Sequence, residues 1–305
     1  MKNNTRYSQN EYSAAQTCED SLNAQNFAEG GLRLKGCYKK SSPDKTLVTI
    51  ITATLNRKDY LEETIQSVIS QTYNNVEYII IDGGSTDGTL DVIKKYEERI
   101  DYWISRPDNS MYEAINSGIR HSRGDIIAVL NSDDKYIGSD VIKQIINHFQ
   151  GNPGIDGIYG NLVRLYESHI RYKRLFQVNY KQYLISGKGT LIPHSTLFVK
   201  RRLIEKAGLY DTRYRYASDY DFILRCLKNG TLKYINYPLT FFRVHDKSIT
   251  ATDSTITPET FAILKAHEID RINKIYRFLM YLYLWGKYKL LSLLYLRHNR
   301  KNLYN

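Results

Sequence analysis

Two aspartates stand side by side at positions 133 and 134, just after the apolar run DIIAVL (125–130). A third, Asp82, ends another apolar run, VEYIIID (76–82), and opens the glycine-rich turn GGSTDGT. Adjacent carboxylates repel each other unless solvated or neutralised. That leaves a solvated turn, or a site for a hard divalent cation, Mg²⁺ or Mn²⁺, whose oxygen ligands are shared with a diphosphate. Asp219 and Asp221 open the segment DYDFILRCLKNG, where an acid serves as a helix cap or first-turn acid. Single histidines occur at His194, in PHSTLFVK, and His245, in RVHDKSIT. The three cysteines, Cys18, Cys37 and Cys226, are widely spaced, without metal-ligand spacing. A reducing compartment is the simplest expectation, and the polar N-terminus has no apolar signal segment.

These side chains need elements to hold them. LVTIITAT (47–54), VEYIIID and DIIAVL are continuous apolar runs, as buried parallel strands require, and DYWIS (101–105) is a shorter one. Helical spacing appears at Leu61, Ile65, Val68 and Ile69, at Leu90, Ile93 and Tyr96, in MYEAINSGIRHS, and from Val141 to Phe149. This alternation predicts an α/β fold with a mostly parallel, doubly wound sheet, in which ligands bind beyond the carboxyl ends of the strands. Asp82, Asp133 and Asp134 fall at such ends. After about Asn152 the pattern is mixed: IYGNLVRLY, RYKRLF and STLFVK predict strands, DYDFILRCLKNG a helix, and TLKYINYPLTFFRVH a strand or hairpin.

Charge is uneven. The net +11 owes all but +3 to eight basic residues after Asp270, the last acid. The body has no basic stripe, which argues against nucleic acid as a partner. Residues 1–45 are polar and predict a poorly ordered leader.

The segments TIITATLNR, IDGGSTDGT, SMYEAINSGIRHSRGDIIAVLNSDD and ASDYDFILR, in this order, closely resemble glycosyltransferase family 2, over roughly residues 46–250. The likeness is to its non-processive branch, which builds bacterial surface polysaccharides such as O-antigen or exopolysaccharide; the QxxRW motif of processive synthases is absent. The resemblance implies a GT-A fold, Rossmann-like, over residues 46–255. Residues 46–150 would form the nucleotide-sugar-binding half and 151–255 the acceptor half. It implies transfer from a nucleotide-diphosphate sugar to an acceptor hydroxyl, with inversion and a divalent metal. Thr52, Ala53 and Thr54 match the first strand end, where the family contacts the nucleotide. Asp82 matches the base-binding aspartate. Asp133 and Asp134 match an Asp-x-Asp-type motif whose first position is Asn131 here, which puts metal duty on that pair, chiefly Asp134. Asp219 matches the general base, with Asp221 as runner-up. His245 matches a histidine that reaches the metal or diphosphate, Arg243 is a related diphosphate candidate, and His194 resembles a position at the donor–acceptor junction.

Two other classes compete: a sugar-nucleotide nucleotidyltransferase, whose GxGxR-type loop is not visible, and an inactive scaffold, which should have lost Asp134 or Asp219. The tail, residues 256–305, carries a basic, apolar helix candidate whose longest run without charge is nine residues, 278–286. A membrane span needs ~20. Its aromatics and lysines suggest interfacial binding to anionic lipid, which would place a cytoplasmic enzyme at the inner face of the membrane, near a lipid-linked or oligosaccharide acceptor. Packing on protein is the alternative.

Overall fold

A computed structural model describes residues 27–186, 191–245 and 258–267. The expected apolar runs form the centre of one sheet: β2 (Val48–Thr54), β3 (Val76–Asp82), β4 (Tyr102–Ser105) and β5 (Ile126–Val129) lie side by side and parallel, in the order β4-β3-β2-β5. Every residue of β3 and β5 is buried. That is why these segments read as unbroken hydrophobic stretches rather than alternating ones.

The sheet continues through the second half. β9 (Leu197–Lys200) pairs antiparallel with β5, and β7 (Gly157–Leu165) antiparallel with β9. β10 (Leu232–Arg243) runs parallel to β7 as one long strand with register shifts near Pro238. β6 (Lys135–Tyr136) closes that edge, and β8 (Ile170–Lys173) pairs with β7 as a hairpin. Two reversals across β9 restore direction, so β5, β7 and β10 all end at the same edge. That edge carries Asp82, the Asp133–Asp134 loop, the start of β9, and the end of β10.

Helices α1 (Lys58–Ile69), α2 (Thr89–Lys95) and α4 (Val141–Gln150) cover one face. The other is covered by α3 (Met111–His121), α5 (Tyr180–Ser186), α6 (Arg201–Ala207) and α7 (Ser218–Asn229). Each face buries its own apolar cluster. The approach of α3 to β2 needs Gly118, where a Cβ would sit 2.4 Å from Ile51 Cγ2. This is the expected α/β architecture, with both halves on a single sheet.

Two segments differ from the sequence expectation. Within the predicted leader, β1 (Ala28–Gly30) pairs antiparallel with β4, and a short 3₁₀ turn follows at Leu32–Lys35. Charges hold it there. Arg33 pairs with Glu77, which is 1 % exposed, and Lys39 Nζ donates to Asp101 Oδ2 at 2.8 Å. Composition alone hid this order, because the partners lie 44 and 62 residues away. At the other end, α8 (Pro258–Ala266) lies beyond the expected boundary at 255, yet buries Ile263 and Leu264 in the apolar cluster of α7. The membrane-binding expectation concerns mainly residues 268–305, which lie outside the described residues, as do 1–26. No helix among the described residues is long and apolar enough to cross a membrane.

Candidate active site

The loop after β5 divides its two aspartates. Asp134 turns inward and is 1 % exposed. Its Oδ1 accepts the Arg243 backbone N–H at 3.0 Å and its Oδ2 accepts Asn131 Nδ2 at 2.9 Å. Burial, then the charge of Asp133, push its pKa well above the ordinary carboxylate range. The loop is further tied down by Thr64 Oγ1 of α1, which donates to the carbonyls of Ser132 and Asp134. Asp134 therefore fastens the β5 loop to β10.

Asp133 faces outward, its side chain 18 % exposed, and its Oδ2 lies 2.9 Å from His245 Nε2. His245 stacks on Tyr60 of α1, with ring centroids 4.9 Å apart. The Arg243 guanidinium lies over the same ring at 4.8 Å, donates from Nε to the Asp133 carbonyl, and pairs with Glu63. The structure brings Asp133, Arg243 and His245 together, and adds Tyr60, which the sequence did not single out, since an aromatic on an amphipathic helix carries no local signal.

Among the described residues, no group of three His, Cys, Asp or Glu side chains is arranged to hold a metal. Asp133 and His245 offer one carboxylate and one imidazole at the mouth of the site. That donor set does not make a closed protein cage. It does fit a cation whose remaining ligands are diphosphate oxygens and water, as Mg²⁺ sites commonly are.

At the end of β3, Asp82 is 0 % exposed. Its oxygens accept Ser85 N and Ser105 Oγ, at 3.0 and 2.6 Å, and the Ser85 hydroxyl. The carboxylate thus organises its own turn, where Gly84 adopts φ +82°. Thr52 is 0 % exposed, and its hydroxyl meets Tyr78 OH at 3.2 Å. Ala53 stays half-buried at the strand end, and Thr54 Oγ1, beside Asp82 in the register, has no hydrogen-bond partner. The open carboxyl of this corner is Asp108, which the sequence reading passed over. It sits so close to Gly83 that a Cβ there would be 2.8 Å from its Oδ2. Burial, then Glu113 and Asp82, raise its pKa to about 6.

On the other side, Asp219 lies in the first turn of α7, with 25 % of its side chain exposed. Oδ1 accepts the Tyr220 N–H at 2.8 Å and Tyr112 OH at 3.4 Å; Oδ2 lies 3.9 Å from His194 Nδ1. Burial raises its pKa, with His194 and the hydrogen bonds opposing. Desolvation thus outweighs the helix-terminus effect that alone would favour the ionised form. His194 Nε2 meets Asn131 Oδ1 at 2.8 Å, and its Nδ1 has no hydrogen-bond partner. Hydrogen bonds link Asp134, Asn131 and His194, and Asp219 lies 3.9 Å beyond them. Asp221 is spoken for, pairing with Arg225 and with His267, each at 2.8 Å. Burial works against its charge, but those two partners hold its pKa below the ordinary value.

The glycosyl transferase family 2 model matches residues 49–208, more than half of the chain. The chain belongs to this family. An uncharacterized glycosyltransferase of Mycobacterium tuberculosis, Rv1514c, is 34 % identical over 179 residues, covering 58 % of this chain and 68 % of its own. Two solved structures share the fold at low identity. One is Staphylococcus aureus TarS 1–349 in complex with UDP-GlcNAc: TM-score 0.62, 15 % identity, 75 % of this chain and 68 % of that one. The other is the mannosyltransferase PcManGT of Pyrobaculum calidifontis in complex with GDP-Man and Mn²⁺: TM-score 0.53, 16 % identity, 78 % and 74 % coverage. The fold of this family 2 glycosyltransferase is therefore that of the GT-A enzymes.

Proposed function

We propose that this glycosyltransferase moves a sugar from a nucleoside-diphosphate donor to an acceptor hydroxyl by a single inverting displacement, with Asp219 as general base. The observation that carries the reading is the placement of Asp219. It is the one partly open carboxylate of α7, on the acceptor half, and faces the same sheet edge as the Asp133 loop. In the reaction the acceptor oxygen bonds to the anomeric carbon and its proton passes to Asp219. The bond from that carbon to the diphosphate oxygen breaks with its electron pair. A raised pKa makes Asp219 a better proton acceptor than a free carboxylate.

On the donor side Asp133, Arg243 and His245 take the diphosphate, and Ala53, Thr54 and Asp108 line the nucleoside corner. A divalent cation held by Asp133 and His245 would supply neutralising charge to the departing diphosphate. The UDP-GlcNAc and GDP-Man complexes of the two structural neighbours support a nucleotide-sugar donor, and the Mn²⁺ of the second supports the metal. We assign the acceptor to a lipid-linked or free oligosaccharide of surface-polysaccharide assembly, O-antigen or exopolysaccharide. The enzyme would work at the inner face of the membrane, with the basic residues after Asp270 toward anionic lipid.

Incubation with a panel of nucleotide sugars and NMR of the product tests the mechanism. The anomeric configuration should be opposite to the donor's; retention rules out the single displacement. Asp219→Asn keeps shape and removes the base, so kcat should fall about 10²–10⁴-fold with donor affinity near wild type.

A further inference from the structure

One buried polar atom at the site stands alone. Nδ1 of His194 has no hydrogen-bond partner, in a side chain only 9 % exposed. A buried nitrogen left unpaired costs free energy, so its setting needs a reason. His194 opens the 3₁₀ turn His194–Thr196 that leads into β9. The turn is held from β10, where Thr240 Oγ1 donates to the Ser195 carbonyl at 2.8 Å.

The neighbours decide which ring nitrogen carries the hydrogen. Asn131 Nδ2 donates to Asp134 Oδ2 at 2.9 Å, so the amide oxygen is the atom that meets His194 Nε2, at 2.8 Å. An amide oxygen only accepts, so Nε2 is the donor. Burial lowers the His194 pKa, against the pull of Asp219 and then Asp133. In the neutral ring Nδ1 is therefore a bare lone pair. It faces Asp219 Oδ2 across 3.9 Å, too far for a hydrogen bond. An N–H aimed at a carboxylate would close to about 2.8 Å, whereas two acceptors stand apart. Asp219 Oδ1 already accepts the Tyr220 N–H and the Tyr112 hydroxyl, which leaves Oδ2 as the oxygen open to a proton.

We propose that the bare Nδ1 of His194 receives a hydrogen bond from Asp219 Oδ2 once the base has taken the acceptor's proton. This rests on the reading of Asp219 as general base. In the transfer step the acceptor O–H bond breaks, its oxygen bonds to the anomeric carbon, and the proton goes to Oδ2. The new Oδ2–H then turns toward Nδ1 and the gap closes. The contact exists only after the proton has begun to move, so it favours the transition state over the resting enzyme. His194 acts through Asp219, as a positioning residue, and the Asp134–Asn131 pair fixes its tautomer.

Imidazole ¹⁵N NMR of the whole protein in excess chelator at neutral pH tests the starting state. His194 should be neutral, with its hydrogen on Nε2; a hydrogen on Nδ1 overturns the proposal. His194→Gln keeps a donor for Asn131 and removes the acceptor at Nδ1, while His194→Asn places an amide oxygen there. The other groups facing Asp219 are the phenols of Tyr112, Tyr183 and Tyr210, all pushed up by burial and neutral throughout, and Asp133 acts on His194. The Asp219 carboxyl, followed by ¹³C NMR, should titrate lower in H194Q than in wild type, with H194N between them. Turnover of the nucleotide sugar that the wild type consumes should show kcat up to about tenfold lower in H194Q, with KM for the donor unchanged and kcat partly restored in H194N. An H194Q protein with a normal melting temperature and an unshifted Asp219 titration overturns the proposal as well. Retention of configuration in the wild-type product would instead remove Asp219 as base and leave the tautomer measurement standing.

Discussion

Above about pH 6, Asp108 carries a charge that its surroundings oppose. Its pKa in the folded chain is about 6 against an ordinary 3.8. A carboxyl raised on folding favours the folded state only when protonated, so its stabilising effect is lost as pH rises from about 4 to about 6. Asp108→Asn should therefore melt higher than wild type at pH 7–8, with the gap closing below about pH 4. A melting-temperature series across that range checks it, and a variant less stable at pH 8 contradicts the direction. The two loop aspartates should separate in the same kind of experiment. Asp134→Ala leaves the Arg243 N–H and Asn131 without their acceptor and should cost about 1.5–3 kcal/mol of stability. Asp133→Ala should melt nearly as wild type yet lose metal-dependent nucleotide-diphosphate binding, measured by calorimetry with and without chelator. At this scale the sequence singled out Asp82, Asp133, Asp134, Asp219 and Asp221, though not Asp108, without showing which way each one turns. Asp82, Asp134 and Asp221 point into protein; Asp133, Asp108 and Asp219 point out. That choice is made by partners such as Ser105, Asn131 and His267, which are distant in the chain.

The first turn of α7 depends on α8. Glu259 accepts the consecutive backbone N–H groups of Arg215, Tyr216 and Ala217, at 2.8 to 3.0 Å, just before the turn that holds Asp219. Charge-assisted hydrogen bonds of this kind are each worth about 1.5–3 kcal/mol. Glu259→Ala should lower the melting temperature and also kcat, because the base loses its fixed platform; Glu259→Gln, which keeps one acceptor oxygen, should recover part of both. An alanine variant that is less stable but turns over normally would separate α8 from the chemistry. Central strands such as VEYIIID were plain in the sequence because burial on both faces leaves no polar alternation. The role of α8 was not, since its contribution is one carboxylate and two apolar side chains meeting α7 from 40 residues away. The basic, apolar character of the residues that follow drew the whole stretch into a single tail.

For the whole molecule, the topology matters more than any one motif. Reversing twice across β9 lets strands from both halves end at one edge, so the candidate site residues converge there although they come from positions as far apart as Asp82 and His245. That convergence could be anticipated for the parallel half, where strand order follows from alternation. It could not for β7 and β10, whose neighbours are set by a long crossover. A last consequence belongs to β1. It occupies the outer edge of β4, and its follow-on residues supply the counter-charges of Glu77 and Asp101. The family match begins at Thr49. A chain begun there would keep every candidate catalytic residue but present β4 as a bare strand edge, with two uncompensated acids behind it. Such an edge is a template for a second chain. The shortened protein would be more prone to self-association, which makes the N-terminal strap a guard of solubility as much as a part of the fold.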